Sequence, residues 1–328
     1  MKKFFIRVIL FLPSFIAFLW LLNYIVDHGL KKTNDYHYEV WNDIYASRIN
    51  ADMLICGSSR AFKHISPRIL DSTLHLKSYN IGLIGWSCFM QLVRFDIYLK
   101  HNSKPKFIIQ NVDVALLKDK EEFYGYDQFL PYIDDPAIVS SSKPYKGGFT
   151  IPDLYFPFFK YNHQYYNSVI GLTTFFKLRH KHGKLNKGFW VDFDPWDGSF
   201  DKYKEEFPTK HIDTAKECAF QSNMLLLFDQ YLNYCSRNNI RVIMVYTPVF
   251  YEMVEMDPCM ASYKKLFRFW SKKYNMPYLD YTTNSICRNK AYFSNSTHLN
   301  INGAEVFSRI VASDIKKYVD SVQFKAAN

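Results

Sequence analysis

Asp52-Met-Leu-Ile-Cys-Gly-Ser-Ser-Arg60 is the stretch on which the fold turns. Met53 to Cys56 is an apolar run of the length of a buried strand, and it stops at Gly57 before a segment of helical character. A strand that breaks at a Gly-x-Ser turn and restarts as a helix sets its serine at the carboxyl edge of a sheet. Main-chain N–H groups and the helix dipole favour developing negative charge there, and open α/β sheets bind ligands at that edge. Near the other end, Asn295-Ser-Thr-His-Leu-Asn300 puts a histidine on a loop just before the last helix, within reach of a serine proton. Singly, each block has an ordinary reading, the first as a plain turn and the second as a surface or capping histidine. Their order, with strands between them, points to a site.

Working outward, a helix is predicted around Pro67 to Leu74, and Ser78-Tyr-Asn-Ile-Gly-Leu83 reads as a second strand ending in glycine. Gly85 opens a helix through about Leu99, and Pro105 to Asp113 is a third strand, apolar in its middle and polar at its exit. Ala215 to Asn238 has helical spacing, Ile240 to Tyr246 is a fourth strand, and Met260, Tyr263, Phe267, Trp270 and Tyr274 step by three and four as an amphipathic helix. Pro277-Tyr-Leu-Asp280 is a short fifth strand, Gly303 to Val319 the closing helix, and Val322 to Asn328 a frayed tail. Five short strands alternating with helices imply a parallel sheet covered on both faces, an α/β domain over residues 51–328.

Between about 114 and 214 this rhythm is lost. Residues 121–210 hold 23 Phe, Tyr or Trp in 90 positions, against 60 in all 328, so the interruption is an aromatic-rich insertion rather than a loop of average composition. Insertions of this size in α/β domains serve as lids or subdomains. Tyr155 to Phe159, Tyr165, Tyr166 and Gly188-Phe-Trp190 either line a sugar-stacking groove above Ser59 or build the insertion's own core. His180 and His182, in Arg179-His-Lys-His-Gly-Lys184, read as a solvated basic loop rather than as metal ligands.

The N-terminal end carries Lys2, Lys3 and Arg7 ahead of Val8 to Val26, nineteen uncharged residues. That length spans a hydrocarbon core of about 30 Å as a helix, and the run lacks the small-x-small cleavage pattern of a secretory signal. Residues 1–30 therefore read as an uncleaved membrane anchor with its N-terminus inside, residues 31–50 as a linker, and everything beyond as lying outside the cytoplasm. A formal charge of +10 is scattered among acids, which suits a basic surface facing an anionic membrane or glycan and carries no nucleic-acid motif. Among six cysteines, Cys56 and Cys88 read as buried thiols, Cys218 and Cys235 as residues of one helix, and Cys259 and Cys287 as a pair able to bond in an oxidising space. No Cys/His spacing suggests zinc.

Gly57-Ser58-Ser59-Arg60 after the first strand, Tyr79-Asn80-Ile81-Gly82 after the second, Asn111 after the third, and His298-Leu-Asn-x-x-Gly303 before the last helix resemble the ordered blocks of the SGNH (GDSL-like) hydrolase superfamily. The flavour is that of its membrane-anchored, extracytoplasmic branch beside bacterial glycan acylation and export systems. The likeness covers about residues 50–113 and 215–320. It implies a three-layer, flavodoxin-like sheet of about five strands, no cofactor or metal, Ser59 as nucleophile and His298 as general base and then acid. It also implies oxyanion donors from the N–H groups of Ser59 and Gly82 and the side chain of Asn111, with Asp113 competing for Asn111's place. The insertion lies outside that likeness; on its groove reading Tyr165, Tyr166 and Trp190 would bind substrate, a cell-envelope polysaccharide or acylated sugar, on an inner-membrane protein with a membrane acyltransferase as possible partner.

One departure stands out. Where the family has aspartate three residues before the histidine, this chain has Asn295. Asparagine can orient the ring but supplies no charge, and the comparable loss in serine proteases lowers turnover by about 10⁴. The chain is thus a slow esterase or O-acyltransferase acting on acyl, most simply acetyl, esters; an enzyme whose acid comes from elsewhere, with Asp280 the candidate; or a silent glycan-binding or assembly protein.

Overall fold

The computed structural model describes residues 1–178, 185–206 and 218–327. The histidines at 180 and 182 lie outside them. Five strands, β1 (Met53–Cys56), β2 (Ser78–Asn80), β3 (Phe107–Asn111), β4 (Arg241–Tyr246) and β5 (Tyr278–Asp280), form one parallel sheet in the order β2-β1-β3-β4-β5. Met53 stands opposite Ser78 on one side and Phe107 on the other, Asn111 opposite Val245, and Tyr246 opposite Asp280. This is the flavodoxin-type order, in which the progression of strand order reverses between β1 and β3 and leaves a crevice at their carboxyl ends.

The longer or site-bearing helices are α1 (Lys2–Leu30), α2 (Tyr36–Tyr45), α3 (Ser59–His64), α4 (Pro67–Leu74), α5 (Cys88–His101), α6 (Tyr165–Phe175), α7 (Ser222–Arg237), α8 (Met260–Tyr274) and α9 (Ile301–Ala327). Side chains alternate across a strand. Met53, Ile55, Phe107, Ile109, Ile243 and Val245 accordingly meet Leu70 and Leu74 of α4 and Phe307, Val311 and Ile315 of α9 in one buried cluster. Among the other helices around the sheet, Phe95 of α5 meets Tyr231 of α7 edge to face at 5.5 Å, and Phe228 meets Trp270 of α8 at 4.9 Å. With helices on both faces, the strands need apolar residues on both, which is why each reads as a continuous run.

The tail and the disulfide differ from expectation. The tail from Val322 is helical through Ala327, since nothing after Gly303 breaks the helix. The disulfide joins Cys218 to Cys259 rather than Cys259 to Cys287. Cys218 lies ahead of α7 rather than within it, while Cys287 is buried with its thiol donating to the Tyr281 carbonyl at 3.1 Å.

The chain divides into two compact units, residues 47–119 with 184–328, which hold the sheet, and residues 1–46 with 120–183. The insertion is thus shared, its last part belonging with the sheet. The stretch read as a linker contains α2, whose Tyr38, Trp41 and Ile44 are buried in the second unit. There Trp41 meets Phe129 at 5.6 Å, Tyr45 stacks on Tyr132 at 4.8 Å, and Phe123 sits among Phe129, Tyr145 and Phe149. Many of the insertion's rings therefore form a core of their own. In the same unit α1 is long and apolar enough over Ile9–Leu30 to cross a membrane, with mean hydropathy 2.2. Its last turns press on α6 so closely that a Cβ on Gly29 would lie 1.8 Å from the Gly171 carbonyl oxygen, an approach that only glycine at this crossing allows.

Candidate active site

The site is built on the exit from β1. Gly57 has φ +144°, and a Cβ there would fall 2.7 Å from the Cβ of Asn111 and 2.9 Å from that of Ala61. Only glycine lets the backbone leave the strand so tightly against β3. Ser58 then caps α3 by accepting from the Arg60 N–H, and Ser59 is the first residue of the helix, half-buried at the sheet's carboxyl edge.

Strands β6 (Phe293–Asn295) and β7 (His298–Leu299) make a tight antiparallel hairpin just before α9. It delivers His298 to Ser59 across 239 residues of chain, with Nε2 2.8 Å from Oγ. The other ring nitrogen, Nδ1, lies 3.0 Å from Asn295 Oδ1. That oxygen also accepts from the N–H groups of Thr297 and His298 and from the Thr297 hydroxyl. So many donors identify it as the amide oxygen, which can only accept; Nδ1 therefore carries the proton and Nε2 is free to take one from Ser59. Burial, with the positive charges of Lys63 and Arg60, lowers His298 to about 4, so the imidazole is neutral at pH 7. Asp280 is not its partner: it pairs with Lys264 at 3.1 Å and accepts from Thr282.

Behind the serine lies a buried network that sequence reading missed apart from Asn111 and its competitor. Asp113 accepts from Ser58 Oγ at 2.6 Å, from Asn111 Nδ2 at 2.7 Å and from the Leu116 N–H. Thr247, after β4, donates to Asn111 Oδ1 at 3.1 Å and accepts from Arg60 Nε at 3.2 Å. The Arg60 guanidinium lies over the Tyr246 ring at 4.8 Å. These bonds fix the ends of β1, β3 and β4 against one another. The signal for them was present as four polar residues in a row of strand exits, but which met which depended on the sheet order.

A second missed set supports the histidine. His64, fully buried, accepts the Leu299 N–H through Nε2 at 3.0 Å and meets the His298 ring edge-on at 6.2 Å. Burial first, then Arg60, His298 and Lys63, hold His64 well below the usual imidazole range, so it is a neutral strut for the hairpin. Lys63 pairs with Asp192 at 2.7 Å, and Asp192 also accepts from Ser294, which precedes Asn295. Burial alone would raise the Asp192 carboxyl; Lys63, the Asp194 N–H and Ser294 outweigh it and hold it below the usual range.

No family model and no curated protein matches the chain. It is similar to a solved structure from Bacteroides fragilis given the provisional name acylhydrolase, which is 12% identical, covers 81% of this chain and 87% of its own, and has a TM-score of 0.39. A likeness so slight has no bearing on function.

The remaining candidates are placed less directly. Gly82 follows β2 against α3, but its N–H donates to Asn80 Oδ1 at 2.9 Å. Asn111 is buried and has given one of its amide hydrogens to Asp113. The Ser59 N–H, in the first turn of α3, has no acceptor among the described residues. Trp190 belongs to a two-residue strand pair, Leu185–Asn186 and Phe189–Trp190, hydrogen-bonded to β2 through Lys187 and Asn80, and its ring stacks 6.1 Å from Phe62 of α3. Tyr165 and Tyr166 are exposed on α6, in the other unit. Geometrically, then, the first unit holds a hydroxyl, an imidazole able to deprotonate it, and an orienting amide in line.

Proposed function

We propose that the chain is a membrane-anchored, SGNH-like serine esterase or O-acyltransferase that works on acyl esters, most simply acetyl esters, of a cell-envelope glycan. The observation carrying this reading is the pair of contacts on one ring, Ser59 Oγ to Nε2 at 2.8 Å and Nδ1 to Asn295 Oδ1 at 3.0 Å. Ser59 attacks the acyl carbonyl while His298 Nε2 takes its proton. The Ser59 N–H, the remaining amide hydrogen of Asn111 and, once released from Asn80, the Gly82 N–H stabilise the oxyanion, each worth about 3 kcal/mol in such sites. His298 then protonates the departing alkoxide, leaving an acyl-serine. Water completes hydrolysis; a sugar hydroxyl, deprotonated by the same nitrogen, completes transfer. Trp190 offers a face for the sugar beside α3.

The Cys218–Cys259 disulfide favours an oxidising compartment and supports an inner-membrane anchor with the sheet-bearing unit outside the cytoplasm, beside a membrane acyltransferase. Full-length protein in detergent should release p-nitrophenol from its acetate ester and be labelled by a fluorophosphonate at Ser59. Ser59→Ala should abolish labelling and lower turnover at least a hundredfold. Equal rates in the two proteins would remove the enzyme reading. A second reading, a silent glycan-binding protein, is favoured by the uncharged Asn295 and the depressed basicity of His298, and would show glycan binding without turnover.

A further inference from the structure

The unit built from residues 1–46 and 120–183 exposes large rings in a concentrated region: Tyr155, Phe156, Phe159, Tyr165 and Tyr166 are 46–83% exposed. Soluble surfaces rarely gather apolar area this way unless something covers it. What covers it is indicated by α1. From Phe11 to Leu21 most side chains of that helix are exposed, as a lipid-facing span requires, whereas Val26 and Leu30 are fully buried. The change falls near Asn23, whose side-chain oxygen accepts from the Phe158 N–H at 3.3 Å, and is complete at Asp27, which pairs with Lys160 at 2.9 Å and with the Tyr161 hydroxyl. Below that level the helix is bare; above it, the helix is sheathed by protein.

The exposed rings sit where bare helix gives way to sheathed helix. A groove of about 560 Å³ is walled by Leu19 of α1 together with Phe159, Tyr161 and Tyr165, and a neighbouring one joins Trp20 to Phe156 and Pro157. Trp20 and Tyr24, themselves half or more exposed, mark the same level. Aromatic residues with one polar end concentrate at the membrane–water boundary, where ring and hydroxyl or indole N–H each find their own solvent. α6 carries no charge from Tyr165 to Phe175, while the exposed Asn162 and His163 beside the groove suit headgroups rather than hydrocarbon and set the depth.

The geometry points to a bilayer-docking face: the exposed rings of Tyr155, Phe156, Phe159, Tyr165 and Tyr166 rest in the headgroup–acyl boundary around the exit of α1, so that this unit lies on the membrane and is not merely tethered to it. Tyr165 and Tyr166 are on this account lipid contacts and not sugar platforms. The inference rests on α1 crossing the bilayer, and the test separates the two.

Full-length protein carrying single spin labels at Tyr165→Cys, Phe156→Cys, Phe15→Cys and Glu121→Cys is placed in nanodiscs of phosphatidylethanolamine and phosphatidylglycerol. Accessibility to oxygen and to a water-soluble nickel chelate is then measured at each. All four positions are exposed, so the labels leave packing intact. Labels at Tyr165 and Phe156 should give oxygen-to-nickel ratios severalfold above Glu121 and below Phe15. Ratios equal to that of Glu121 would overturn the docking face and leave those rings for a sugar or a protein. A nickel-accessible Phe15 would overturn it too, and would locate the fault in the anchor.

Discussion

Asn295 decides how well the ring of His298 can work. Its oxygen orients the imidazole as a carboxylate would but adds no charge to stabilise the imidazolium that the proposed attack would form. Asn295→Asp keeps the acceptor and supplies that charge. We expect it to raise kcat on an activated ester, with about 10⁴ as the ceiling set by the reverse change in serine proteases, and an unchanged rate would mean that the ring is not the base. The pH profile offers a separate check. His298 must be neutral to accept a proton, and burial with Lys63 and Arg60 lowers it to about 4. The wild-type kcat/KM should therefore fall only as pH drops through about 4, with no limb near 6.5, and Asn295→Asp should move that limb upward. The three-residue spacing of Asn295 and His298 was legible in the sequence because both lie in one hairpin. Asp192, about a hundred residues away, was not, since nothing local marks an aspartate that meets Lys63 and Ser294 only in three dimensions.

At the scale of elements, the turn from β1 into α3 is the most local feature of the protein and the one read most completely. An apolar strand, a glycine with φ +144° and a capping serine are all written in consecutive residues. Gly57→Ala should destabilise the protein by about 1–3 kcal/mol through the strained backbone alone, and by more because its Cβ would overlap that of Asn111. Thermal melting reads the loss, and reactivity of Ser59 toward a fluorophosphonate should fall in the protein that remains folded. An unshifted melting temperature would mean that the turn relaxes. The residues proposed as oxyanion donors lay at the limit of sequence reading: their places at the strand exits were evident, but the bonds from Gly82 to Asn80 and from Asn111 to Asp113 come from side chains of neighbouring elements turning inward.

Across the molecule, α1 is both an apolar span and a structural part of its own unit, because Asp27 and Lys160 form a largely buried pair. Asp27→Ala leaves a buried ammonium without its counter-charge, a change that costs about 3–5 kcal/mol in comparable pairs. The full-length variant should melt at lower temperature, and Lys160→Met in the same chain should recover most of the loss; no recovery would assign the effect to something other than the pair. Periodicity alone determined the strands, most helices and the apolar span, because those depend on residues a few positions apart burying a common face. Tertiary structure alone decided which cysteine met Cys259 and which of the insertion's rings pack among themselves and which stay exposed. It also decided that the Ser59 hydroxyl and the His298 imidazole stand in contact, since a meeting across 239 residues is set by how the sheet orders its strands and where α9 packs.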